Sequence, residues 1–319
     1  MTPMPAVLGN RAAARFTARM PTRTLRLPSP SPFDLRLCLF GHGWIALAPH
    51  RFDEASKTFT TVLRLGEHAV DATLRQATAG ELELHLVSAK LLPSAATKAA
   101  GRQIAHMLRL DEDLAPFYAV CQREPRLRWA ARRGAGRLLR SATVFEDLMK
   151  LLFTTNTTWS GTEAMTKNLV AAAGSVSPSG ACAFPSPQQC QRDAPFYRGV
   201  VRTGYRAEAA VALAQGFVDG RLADEQFLRP QTAEELWTRL LALRGFGPYA
   251  AGQAMRLLGH FDKLALDSWC RARLAEMSGK KKAPADRTVE RRSAPFAPFQ
   301  GLALWLDLTA DWHGEGGTA

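Results

Sequence analysis

The sequence contains no Cys-x-x-Cys pair. Its five cysteines, Cys38, Cys121, Cys182, Cys190 and Cys270, are odd in number and widely scattered. That spacing excludes a zinc ribbon and a redox dithiol, and it excludes the closely spaced set of four that holds an iron–sulfur cluster. Buried thiols in a reducing cytoplasm are the expectation, with association to the nucleoid if the source is bacterial. No apolar run approaches the length of a membrane span. The seven histidines form no HExxH or similar cluster, and neither a P-loop nor a GxGxxG is present. Neither a metal centre nor a nucleotide cofactor is therefore expected. Acidic residues are missing from the first 33 positions, which carry Arg11, Arg15, Arg19, Arg23 and Arg26 and then a Pro/Ser cluster from Pro28 to Pro32. Residues 1–32 read as a disordered basic tail without the apolar core of a secretory signal.

What is abundant is positive charge. The formal net charge is +12. A balance that basic points to a polyanionic partner, of which nucleic acid is the commonest for a soluble protein. Hydrophobic residues make up 46% of the chain, enough for a sizeable core over two packed subdomains.

From Phe33 to about position 97 the pattern is β-like. Leu35, Leu37 and Leu39 alternate, as do Phe59, Thr61 and Leu63, and again Leu82, Leu84 and Leu86. Turn residues at Gly41–Gly43, Gly66–Glu67 and Ala79–Gly80 separate them, which predicts a small antiparallel sheet. Residues 98–276 are helical in texture. Thr143-x-x-Glu146 and Thr232-x-x-Glu235 are capping-box signatures, each ahead of a helical run of leucines. In 277–319, Lys280–Lys282 opens a polar stretch without periodicity, and Leu302–Leu308 predicts one docking helix. The class is α+β.

The sharpest local signal is Leu243-Arg244-Gly245-Phe246-Gly247-Pro248-Tyr249-Ala250-Ala251. A helix from the Thr232 box ends near Gly245, the Gly-Phe-Gly reversal needs positive φ or a close approach, and Pro248 suits the first turn of a second helix. Such a hairpin points backbone N–H groups outward, which suits a phosphate. A plain αα-hairpin between two core helices carries the same glycines. Twenty residues after Gly247 stands Asp267, at the start of another helix, where an aspartate also serves as a good N-cap.

Together these elements resemble the helix-hairpin-helix (HhH-GPD) DNA glycosylase superfamily. In that family an L-x-G-x-G-x-x-x-A hairpin precedes a catalytic aspartate, matched here by Leu243, Gly245, Gly247 and Ala251 and then Asp267. Arg137–Thr158 is similar to the stretch that, in 8-oxoguanine DNA glycosylases, leads to a loop filling the vacated duplex. Gly204-Tyr205-Arg206-Ala207 resembles the family's G-Y-R-A segment. The likeness spans roughly residues 33–275 and implies a TBP-like antiparallel sheet beside a mainly helical domain with a DNA cleft.

The resemblance assigns Asp267 to catalysis and Gly245 and Gly247 to DNA, with Asn156 and Thr157 as gap-fillers by position. A helix-capping turn accounts for that pair equally well. Bifunctional members carry a nucleophilic lysine two residues after the second glycine. This chain has Tyr249 there, and a phenol cannot form a Schiff base. Members similar to 3-methyladenine DNA glycosylase II place an aromatic residue at that position, in the base pocket. Trp159, Tyr205 and Trp269 are further pocket candidates, with a place in the core as the plainer alternative for each. The resemblance also implies a monovalent cation held by hairpin carbonyls. The expectation is a monomeric, monofunctional glycosylase that flips alkylated purines out of duplex DNA. A glycosylase for oxidised guanine and a non-catalytic DNA-binding module remain the alternatives.

Overall fold

In the computed structural model, residues 20–315 are described. Five strands form one antiparallel sheet in the order β1-β5-β4-β3-β2. They are β1 (Thr22–Pro28), β2 (Arg51–Asp53), β3 (Thr58–Leu65), β4 (His68–Thr78) and β5 (Glu81–Val87). Gly66, at φ +61°, turns β3 into β4. The alternating runs at Phe59–Leu63 and Leu82–Leu86 lie in strands as expected, with Phe59, Leu63, Leu82, Leu84 and Leu86 buried.

Two expectations fail here. The segment read as a tail contains β1, which pairs with β5 from Thr22↔Val87 to Pro28↔Glu81. Leu25 and Leu27 alternate toward the helix side, where each would lie 3.4 Å from a Cβ built on Gly101, while Arg26 turns outward to Glu81 at 2.8 Å. The density of arginines masked a period of two that spans only two leucines. Positions 1–19 of the same reading lie outside the described residues. The second failure is Leu35–Leu39, a short helix rather than a strand. Asp34 caps it by accepting from the Leu37 N–H at 2.9 Å. Leu35, Leu37, Cys38 and Leu39 are buried and Arg36 is exposed, so burial of Cys38 breaks the alternation that the leucines suggested.

The helices that build the site are α1 (Ser94–Leu108), α2 (Val144–Thr154), α3 (Trp159–Ala173), α4 (Ala207–Val218), α5 (Ala233–Leu241), α6 (Pro248–Leu257), α7 (Ser268–Met277) and α8 (Gln300–Thr309). The Thr232 capping box is complete, with side chain and backbone bonded reciprocally to Glu235. At the other signature, Thr143 accepts from the Glu146 N–H, but the Glu146 carboxylate pairs with buried Lys150 at 2.6 Å. The polar stretch after Lys282 also holds a helix, Asp286–Ser293, ahead of α8.

One apolar core joins the inner face of the sheet to α1, α2, α4, α5 and α6. A second gathers Phe117, Trp129, Phe261 and Cys270 around Leu302, Trp305 and Leu306 of α8. The C-terminal end of α6 is gripped by buried guanidiniums. Arg109 donates to the Leu257 carbonyl at 3.0 Å, and Arg140 reaches the same oxygen. Cations at that end oppose the negative pole of the helix and fix the direction of its other end.

Candidate active site

The hairpin lies between α5 and α6. Gly245 has φ +85°, and a Cβ there would come within 2.8 Å of Leu152 and 2.9 Å of Ala209, so the position needs glycine twice over. Gly247 differs from the expectation of positive φ or crowding: its φ is −105° and a Cβ would meet nothing within 4 Å. It is exposed and forms the N-cap of α6 with no side-chain cap bond, so the first-turn N–H groups of α6 lack a side-chain partner.

Tyr249 lies in the first turn of α6, partly buried against the large core. Burial pushes its phenol above the ordinary range and the Asp267 carboxylate pushes further, while Thr154 opposes them. Tyr249 and Asp267, eighteen residues apart, are thus electrostatic neighbours. Asp267 caps α7, its Oδ1 accepting from the Cys270 N–H at 2.6 Å. That bond orients the carboxylate at the start of α7. The approach to Asp267 packs tightly on α6: a Cβ built on Gly252 would lie 2.7 Å from the Cβ of Ala265, which itself sits at φ +49°.

Trp269, on the first turn of α7, joins two aromatic residues that the sequence reading did not single out. Its ring centroid lies 5.5 Å from Trp305 and 5.3 Å from Trp312. Trp305 is buried and donates Nε1–H to the Gly41 carbonyl at 2.7 Å. Trp312 is 46% exposed. No periodicity marked Trp312, because it lies in the 3-10 turn after α8.

The side chain of Arg256, two turns beyond Tyr249 on the same face of α6, is almost wholly buried. It donates to the Leu264 carbonyl at 3.2 Å and to Gln253 Oε1 at 3.2 Å, and lies 4.8 Å from the centre of Trp305. Desolvation lowers its pKa, and Cys270, Asp267 and Tyr249 act against that fall. Nearby, burial holds His42 neutral, down to about 3, with Arg256 adding to the effect and a 2.7 Å bond to the Leu139 carbonyl opposing it.

Asn156 and Thr157 form an exposed tip between α2 and α3. The cap of α3 is Thr158, whose hydroxyl accepts from the Gly161 N–H at 3.2 Å, so Asn156 is not the helix cap. It stands in the left-handed region at φ +44°. Buried Arg206 fixes it there by donating to the Asn156 carbonyl at 3.0 Å and the Thr155 carbonyl at 2.9 Å. Tyr205 departs from its expected place among pocket residues. It is 63% exposed, its hydroxyl accepts from Asn156 Nδ2 at 3.1 Å, and the Arg206 guanidinium lies 4.5 Å from its ring centre. The Trp159 ring, 41% exposed, covers Gly43, where a Cβ would fall 2.5 Å from two ring atoms. Tyr205 belongs to the α2–α3 tip, and Trp159 to the Gly43 turn, two residues from the Gly41 carbonyl that bonds Trp305, itself packed on Trp269.

No protein-family model matches the sequence, and no curated protein does. Solved structures do. A 3-methyladenine DNA-glycosylase from Archaeoglobus fulgidus superposes with TM-score 0.71 at 17% identity, covering 90% of this chain and 98% of its own. MBOgg1 in complex with a low-affinity DNA ligand gives 0.69 at 16%, covering 93% and 99%. The apo form of a Clostridium acetobutylicum 8-oxoguanine glycosylase/lyase gives 0.68 at 15%, covering 91% and 98%.

The chain has the fold of these DNA glycosylases. Each match covers 90% or more of this chain, so the likeness is one of the whole fold.

Proposed function

We propose that the protein is a monofunctional DNA glycosylase that extrudes a damaged purine, with alkylated purines the first candidates, and hydrolyses its bond to the sugar. The observation that carries this reading is the close packing of the run that ends at Asp267 on α6, where a Cβ on Gly252 would lie 2.7 Å from that of Ala265, with Tyr249 in the first turn of α6 and an aromatic group open to solvent beside Trp269.

Each part has a chemical role. The uncapped first turn of α6, with Gly247 exposed, suits a backbone phosphate of duplex DNA. A monovalent cation on the hairpin carbonyls would belong to the same contact. Asn156 and Tyr205, bonded to each other and braced by Arg206, suit insertion into the gap left by an extruded base. Asp267 would stabilise the positive charge that builds on the sugar as the bond breaks, and would orient the water. Tyr249, Trp269 and Trp312 offer aromatic faces, which attract the cationic ring of an alkylated purine.

Strand cleavage by an amine is disfavoured. Tyr249 occupies the position of the amine, and Lys263 is engaged elsewhere, 5.3 Å from the Trp237 ring centre and 3.9 Å from Glu234. Lys150 is fully buried on Glu146. The test is to incubate the protein with lesion-bearing duplex and treat half of each sample with hot alkali. Strand breaks should follow alkali only. Breaks without alkali, or a borohydride-trapped covalent complex, overturn the monofunctional reading, and absence of base release overturns the glycosylase reading.

A further inference from the structure

We infer that Gln253 reads the far edge of the extruded base as a hydrogen-bond donor, with Arg256 fixing the direction of its amide, so that the site selects 6-oxo purines over 6-amino purines. The inference rests on the proposed glycosylase function and names its substrate class.

Gln253 follows Tyr249 by four residues and so lies on the same face of α6. Gly252, on the flank of that face, packs against the run that ends at Asp267, and Arg256, seven residues after Tyr249 on the same face, reaches the start of that run at Leu264 from the deeper turn. Gln253 is therefore beside Tyr249 and about 6 Å further along the axis, at 1.5 Å per residue. Helix α6 runs inward from the exposed Gly247, so further along means deeper. The glycosidic bond must lie near Asp267, and the atoms of a purine farthest from that bond include the substituent at position 6. The Watson–Crick and Hoogsteen edges share this substituent, so an in-plane polar contact at that depth meets it on either edge. Guanine-derived bases carry an acceptor there, O6, and adenine-derived bases a donor, the amino group.

The orientation of the amide follows from chemistry. A guanidinium has only donors, so the atom it meets at 3.2 Å is the amide oxygen. Arg256 cannot swing away freely, because it is buried, bonded to Leu264 and stacked on Trp305. With Oε1 held, Gln253 is left with its NH2 to offer. A donor aimed at an amino group leaves both unpaired, which is the strongest way a buried polar site rejects an analogue.

The experiment is single-turnover release of 7-methylguanine, 8-oxoguanine and 3-methyladenine from single-lesion duplexes by wild type, Gln253→Leu and Gln253→Glu. Wild type should release at least one 6-oxo base faster than 3-methyladenine. Gln253→Leu should cut that ratio tenfold or more. Gln253→Glu is close in size, keeps the Arg256 contact and presents only acceptors, so it should move the ratio past unity toward the 6-amino base. A ratio unchanged within about twofold in both active variants, or a wild type that prefers 3-methyladenine, overturns the inference while leaving the glycosylase reading intact. No release of any base by wild type overturns both.

Discussion

The charge of Asp267 and its role as a helix cap can be separated by one substitution. Asparagine ranks with aspartate as an N-cap, so Asp267→Asn should keep the 2.6 Å bond from the Cys270 N–H and leave α7 in place. What it removes is the negative charge. A full unit charge about 4 Å away at an effective dielectric near 20 is worth about 4 kcal/mol. The sugar carries only part of a positive charge in the transition state, so about 2–4 kcal/mol is at stake. At 1.36 kcal/mol per tenfold, release should slow by roughly 30- to 1,000-fold. Asp267→Ala loses the cap as well, at about 1 kcal/mol, or roughly 2–4 °C in a chain of this size. Single-turnover release and thermal melting would be measured on both variants, with duplex affinity as a control. The expected pattern is equal loss of rate in both, lowered melting only in Ala, and lesion binding largely kept. A folded Asp267→Asn protein with near-normal release would refute the electrostatic argument.

Replacing Gly247 with leucine should weaken binding to all duplexes alike, because its Cβ meets nothing within the protein; unchanged affinity, with salt dependence intact, would remove the hairpin from the DNA contact. Gly245→Ala should instead lower stability by about 1 kcal/mol or more, through φ +85° and two contacts under 3 Å, which thermal melting would read. Burial holds His42 at about 3, His106 at about 4 and His50 well below its ordinary value. A depressed folded pKa gives stability that is present above the unfolded value near 6.5 and lost as pH falls. His42 and His106 together should lose about 2.5 kcal/mol between pH 7 and 5.5, with His50 acting in the same direction, and a melting temperature flat across that range would contradict their neutral burial. A chain starting at Met20 should keep its stability and excision, whereas one starting at Ser29 loses the whole of β1 and should melt lower; equal melting of the two would contradict the pairing with β5.

The features legible in the sequence were those where backbone geometry dictates the residue. Gly245 answers a positive φ, Pro248 a helix start, Asp267 a helix cap, and such demands repeat at fixed spacing in the chain. Strands β3 and β5 were legible because one face is buried and the other wet. Leu35–Leu39 was misread because it is short: with Arg36 alone exposed and Cys38 buried beside the leucines, five residues fit a period of two as readily as one helical turn. Arg256 reads as an ordinary surface charge in sequence and becomes a buried brace only through contacts to Leu264 and Trp305. Trp312 and Tyr205 were beyond sequence reasoning in a similar way. Exposure and partnership decide whether an aromatic residue is core, pocket or tip, and both come from the packing of distant segments.

The bond from Trp305 to the Gly41 carbonyl ties two parts of the chain that are 264 residues apart. On the ribosome, the Gly41 turn, the sheet and the hairpin all emerge before α8, and domains fold as their residues appear. The tryptophan wall beside Asp267 is delivered after the hairpin. A nascent chain halted after the hairpin therefore holds the glycines and the phosphate-facing helix end without the surface that would receive a base. Messages truncated late in the coding region should yield products able to cling to DNA yet unable to act on it. Under the proposed function, assembly order would withhold base excision until α8 has been added.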